Sequence, residues 1–160
     1  MKDEIKQKRG KISRAQGNAF ETRVREDLEE KGWIVNKWNN QIIDGKLVKA
    51  KSKWAGPGRP MMMGSGFPDF MAFRIDKFLD QCVTSNGFDT VAKDYKSNYE
   101  VIGVESKMTG ELDREEKEKC KWLLDNNVFS KILIAEKTKV KNKVVIVYHD
   151  FKEKYYRFYQ

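Results

Sequence analysis

The 160-residue sequence predicts an α/β (α+β) fold, a central mixed β-sheet flanked by helices. Three observations predict it. Helix-period and strand-period runs alternate along the chain. One short run, Val101-Ile102-Gly103-Val104, lacks polar residues, as does a strand covered on both faces. Two apolar runs also carry acids at one end: Phe70 to Phe73 follow Asp69, and Val101 to Val104 precede Glu105.

Taken in order, residues 1–14 read as a flexible basic arm, and residues 15–150 as the folded domain. A helix is expected from about Gly17 to Lys31, with Gly32 as its stop. Phe20, Val24 and Leu28 recur at i, i+4 and i+8, so they should face the core. Glu21 lies seven residues before Leu28, ~20° from its direction, which puts it at the edge of the buried face. Trp33 to Trp38 reads as a strand. A short strand around Gln41 to Val48 is expected to pair with it, with Asp44-Gly45 as a hairpin turn. Residues 50–66 are rich in Gly and Pro and form a long loop directly before Asp69, and such loops are usually functional or disordered. Asp69 to Ile75 is the next strand.

Residues 76–98 read as an insertion, with a short helix around Phe78, Leu79 and Val83 and a turn at Ser85-Asn86-Gly87. Tyr99 to Lys107 follows as a central strand. A helix from about Glu111 to Asn127 should bury Leu112, Cys120, Leu123 and Leu124. Ser130 to Lys137 and Lys143 to His149 are two further strands. The tail, residues 151–160, interleaves Lys152, Lys154 and Arg157 with Tyr155, Tyr156, Phe158 and Tyr159.

Composition narrows the class. No run of 18 apolar residues exists, so no membrane span is expected. Met1 to Lys6 leads into no apolar segment of a secretory signal. Cys82 and Cys120 lack metal-ligand spacing and read as reduced thiols of a cytoplasmic, intracellular protein. The single histidine, His149, argues against a histidine-based metal site. The net charge of +8 is concentrated. Residues 1–14 hold six bases against two acids, and residues 46–59 hold five bases and no acid. These segments therefore carry the whole positive excess, which suits either a polyanion partner or simple solubility. The first includes Lys8, Arg9, Lys11 and Arg14, and the second Lys51, Lys53 and Arg59; Ser65 lies farther along the same loop.

The two acidic motifs are thirty-six positions apart. Glu105 and Lys107 are two apart, so in a strand they share a face. If their strands pair, Asp69 and Glu105 converge at one rim of the sheet. A divalent cation would offset the repulsion between the carboxylates, and such a cation can activate water on a phosphodiester. The rival reading makes Glu105 and Lys107 solvated residues at a strand end.

These residues resemble the PD-(D/E)xK nuclease superfamily. Pro68-Asp69 stands for PD, and Glu105-Ser106-Lys107 for ExK. The N-terminal part is most similar to archaeal Holliday-junction resolvases. There an Arg-x-x-Gly-like segment leads into a helix that carries a glutamate and ends at a Gly before a strand. Here that reads Arg14-Ala15-Gln16-Gly17, then Glu21, then Lys31-Gly32-Trp33-Ile34-Val35. The resemblance spans about residues 14 to 136.

It implies a restriction-endonuclease-like fold and a Mg²⁺- or Mn²⁺-dependent DNA endonuclease. Such an enzyme would be selective for branched or junction DNA, would act in recombination and repair, and would work as a homodimer. Glu21, Asp69, Glu105 and Lys107 would be catalytic. Asp69, Glu105 and the Ser106 backbone carbonyl would hold the metal, and Glu21 would join them directly or through water. Lys107 would orient or help deprotonate the attacking water. The resemblance is incomplete. The helix after the ExK also resembles virus-type replication-repair nuclease modules, in which a Gln often sits where Glu115 and Glu116 stand here. A nicking or flap nuclease of that class, a non-catalytic nucleic-acid-binding protein on the same fold, and a basic structural protein with incidental carboxylates remain as alternatives.

Overall fold

The computed structural model describes residues 2–51, 66–75, 99–141 and 143–156. The first helix, α1 (Lys2–Glu30), ends in a Schellman arrangement. Gly32 has φ +82°, its N–H donates to Glu29 O at 3.0 Å, and Trp33 N–H donates to Leu28 O at 3.0 Å. The expected stop is therefore where the sequence places it. The start is not. The helix begins fifteen residues before Gly17, and the segment read as a flexible arm is its first half. The cause is local: Lys, Arg, Glu, Gln and Ala are strong helix formers. Gly10 and Gly17 weaken the helix without interrupting it.

Strands β1 (Ile34–Lys37), β4 (Phe70–Ile75), β5 (Tyr99–Lys107), β6 (Lys131–Val140) and β7 (Lys143–Asp150) form one sheet in the order β1-β4-β5-β6-β7. Neighbours are antiparallel except β5 and β6, which are parallel. Parallel neighbours need a long crossover, supplied here by α2 (Arg114–Asp125). The chain is thus mixed α and β around a five-stranded mixed sheet, and β5 is its middle strand, as its apolar run predicts.

Strands β2 (Asn40–Ile43) and β3 (Lys46–Lys49) make the expected hairpin, with Asp44 at φ +50° and Gly45 at φ +68° in its turn. They form a separate two-stranded sheet and do not join β1. Most of the loop at 50–66 and all of the insertion at 76–98 lie outside the described residues, and so do Lys53, Arg59, Ser65 and Cys82.

The sheet has a core on each face. Phe20, Val24 and Leu28 of α1 pack on Val35, Phe70, Ala72, Ile102 and Val104. Burying a side chain such as Leu28 contributes roughly 1.5–3 kcal/mol. On the other face, Leu112, Cys120, Leu123 and Leu124 pack on Ile132 and Ile134, together with Phe129 and Phe151. All four residues expected to be buried around α2 are buried. Asp113 caps α2 in a capping box: its side chain accepts from Glu116 N–H, and Glu116 reaches back to the Asp113 N–H.

The short α3 (Phe151–Tyr155) closes the described chain. Tyr155 and Tyr156 set their rings 5.4 and 5.7 Å from that of Phe151, so half of the aromatic tail packs on its own chain. Phe158 and Tyr159 lie outside the described residues.

Candidate active site

The paired strands bring Asp69 and Glu105 together. Phe70 is opposite Val104 in the antiparallel register, so the acid preceding one and the acid following the other meet at the same rim. Asp69 N–H donates to Glu105 Oε2 at 3.1 Å, and Ser106 N–H donates to Asp69 Oδ2 at 2.9 Å. Ser106 thus contributes its N–H to the centre, and its Oγ is buried without a hydrogen-bond partner among the described residues.

The segment leading into Asp69 is held tightly. Phe67 N–H donates to Asn40 O at 2.9 Å, and Trp38 N–H donates to Asp69 O at 3.0 Å. A Cβ on Gly66 would run into the Trp38 carbonyl, so only glycine lets the chain pass there. Pro68, joined to Phe67 by a cis peptide, is fully buried over Gly103, where an added Cβ would lie 2.9 Å from Pro68 Cγ.

Two lysines complete the centre, one on each face of the sheet. Lys107 Nζ lies 3.4 Å from Glu105 Oε1 and is ion-paired to Glu116 Oε1 on α2. Lys37 follows the buried Val35 by two, which turns it toward α1. Its Nζ is ion-paired to Glu21 Oε2 and lies 3.7 Å from Asp69 Oδ1. Glu21 is half-buried at the edge of the α1 stripe, as its helical phase predicts. The rim therefore gathers four acids and two lysines, a formal charge of −2.

Burial decides the electrostatics. The Glu105 side chain is 8% exposed and that of Asp69 13%. Burial first, and the Asp69 charge second, push Glu105 up to about 8 from an ordinary 4.5. Asp69 is also raised, by burial and then by Glu21, although the Ser106 N–H and both lysines oppose the shift. Burial alone would lower Lys107, but the Glu116 hydrogen bond and the charges of Glu105 and Glu116 outweigh it and hold the amine above its ordinary value. The solvated-strand-end reading of Glu105 is thereby excluded: among the described residues it is the acid that is buried, the whole residue at 6% exposure.

The loop between Lys107 and α2 is braced from the C-terminus. Lys154 Nζ donates to Gly110 O at 2.6 Å, and Leu112 N–H donates to the Tyr155 hydroxyl at 3.2 Å. Gly110 has φ +70° and abuts Glu136, which also contacts His149 Nε2 at 2.7 Å.

Among the described residues, no three carboxylate, histidine or cysteine side chains form a ready cage for a metal ion. The Asp69–Glu105 pair still fits a hard dication. Mg²⁺ takes one or two carboxylates and keeps several waters, and two mutually repelling buried oxygen donors suit it. Lys8, Arg9, Lys11 and Arg14 lie exposed on the first half of α1, and Lys51 is exposed after β3.

Two members of the centre escape a reading of the sequence. Lys37 carries only the signal of strand parity with Val35. Glu116 carries the signal Asp113-x-x-Glu116 of a capping box. Comparison with family models, curated proteins and solved structures gives no match, so the centre stands on its own geometry.

Proposed function

We propose that this chain is a metal-dependent DNA endonuclease of the PD-(D/E)xK, restriction-endonuclease-like type, acting on branched DNA. The observation that carries the proposal is the Asp69–Glu105 pair, buried, hydrogen-bonded through the Asp69 N–H and flanked by Lys107 at 3.4 Å. In an enzyme of this type a carboxylate pair of like charge is tolerated because a dication offsets the repulsion.

Asp69 and Glu105 would hold Mg²⁺ or Mn²⁺, with the Ser106 carbonyl as a further oxygen donor and Glu21, paired to Lys37, reaching the ion through water. When bound, the ion supplies Lewis acidity at a phosphate oxygen and lowers the pKa of a bound water. Lys107, kept protonated by Glu105 and Glu116, donates hydrogen bonds and charge to the phosphate and positions the water. This favours Lys107 as a donor over Lys107 as a base. Glu116 fixes the ammonium, and the capping box fixes Glu116.

The exposed bases Lys8, Arg9, Lys11, Arg14 and Lys51 neutralise flanking phosphates, joined by Lys53, Arg59 and Ser65 of the loop. A two-fold dimer would present two centres to the two strands of a junction. Sedimentation at micromolar concentration tests that part separately, with a dimer expected. The function itself is tested on four substrates, a four-way junction, a flap, a duplex and a single strand, with Mg²⁺ and with EDTA. Cleavage of the junction in Mg²⁺ alone is expected. Binding without cleavage of any substrate would leave a non-catalytic nucleic-acid-binding protein.

A further inference from the structure

Lys37 stands at the C-terminal end of an edge strand, with Val35 beside it in the core. Its Nζ lies over the Phe70 ring, 4.7 Å from the centroid. Nζ ends between the Glu21 and Asp69 carboxylates, paired to the first and 3.7 Å from the second. The Lys37 side chain is 39% exposed, so the ammonium is not enclosed by the core. An ordinary surface ion pair contributes about 0–1 kcal/mol and involves one acid. Here one ammonium is shared between two acids from different elements, and one of them is Asp69.

We infer that Lys37 is a built-in cation for the Glu21–Asp69 side of the centre, a positioning residue that holds Glu21 and limits the site to one divalent ion. The assignment rests on Asp69 and Glu105 being cation ligands. Its logic is charge. A dication drawn to Asp69 meets an ammonium already on that carboxylate, and Lys37 both repels the ion and occupies Glu21. Removing the ammonium takes the formal charge of the rim from −2 to −3 and frees a third acid. Lys107 lies between Glu105 and Glu116 in the same manner, so an acid–lysine–acid unit stands on each face of the sheet. The two units differ in consequence. Lys107 lies beside the proposed water, whereas Lys37 takes a place that another ion would otherwise fill.

The test is calorimetric titration of Mn²⁺ alone into the full chain without DNA. Wild type should bind one ion. Lys37→Met and Lys37→Gln should bind the first ion about tenfold more tightly, or take up a second, from the loss of one unit charge a few ångströms away. Lys37→Arg should behave as wild type. In a Glu21→Gln background most of the gain from Lys37→Met should vanish, because the acid it frees is gone. Uptake by the Met and Gln variants equal to or weaker than that of wild type overturns the assignment and leaves the metal reading intact. No uptake by wild type or variants overturns both. Loss of folding in both neutral variants, seen as a lost melting transition, overturns the assignment by making Lys37 structural.

Discussion

Glu105 is the residue at which the account is most exposed to measurement. Its carboxyl is raised to about 8 by burial and then by Asp69, against an ordinary 4.5. The folded state therefore binds this proton more tightly than the unfolded chain does. The resulting stability is fully present below about pH 4.5 and is lost as pH rises through about 8. Metal-free protein should melt at a progressively lower temperature across that window. Glu105→Gln, which cannot ionise, should flatten the slope; an unchanged slope would remove Glu105 as its source. Glu116 gives a second prediction. Glu116→Gln can keep the capping box but loses the negative charge that pairs with Lys107, so melting should hardly move. Cleavage should fall on the order of 10–100-fold, the cost typical of losing a residue that orients a metal-site group. Asp69, Glu105 and Lys107 were legible in the sequence because strand parity and acids at strand ends are local signals. Lys37 was not, because its meaning depends on β1 pairing with β4, more than thirty residues away. Glu116 was visible only as a difference on a helix, although its capping spacing was there to read.

Gly66 and Gly103 show how elements, and not residues alone, place the acids. A Cβ at Gly66 meets backbone atoms of Trp38 and Asn40, which cannot rotate away. At Gly103 it meets the Pro68 and Phe129 side chains at 2.9 and 3.1 Å, which can shift a little. Gly103→Ala should cost roughly 1–3 kcal/mol, as overpacking does, and Gly66→Ala more. Melting curves of the two variants check the order, and the reverse order would contradict the packing described. α1 supports a different prediction. Among its described side chains the first buried one is Phe20, and Lys8, Arg9, Lys11 and Arg14 are exposed. Deleting residues 1–14 should therefore weaken DNA binding and flatten its salt dependence. An unchanged salt slope would take the helix away from the interface. The early start of α1 was hard to read because the apolar residues before Phe20, namely Met1, Ile5, Ile12, Ala15 and Ala19, are sparse or small and stand among polar and basic ones, which blurs the apolar stripe that marks a helix in sequence. The β2–β3 hairpin was legible from Asp44-Gly45, but its failure to join β1 is a matter of tertiary placement that turn chemistry does not encode.

For the whole molecule, the mixed sheet follows from the alternation of periods, and the central place of β5 follows from its apolar run. Sheet order and the parallel β5–β6 pair come from the crossover through α2, which the sequence announces only as helix followed by strand. The described helices include none long and apolar enough to cross a membrane. The layered arrangement has one consequence for function: Glu21 and Lys37 approach the rim from the α1 side, Lys107 and Glu116 from the α2 side, and Asp69 stands between them. Under the proposed function, changes at this centre should remove cleavage before DNA affinity, since the exposed bases Lys8, Arg9, Lys11, Arg14 and Lys51 are not among the side chains that form it. The most direct measurement is the single-turnover cleavage rate of a four-way junction in Mg²⁺, for wild type and for Asp69→Ala and Glu105→Ala, with binding to the same junction followed in parallel. Cleavage by wild type, none by either variant, and junction affinity largely retained by all three is the predicted result. Cleavage at the wild-type rate by either variant, or binding by wild type with no cleavage, would contradict it.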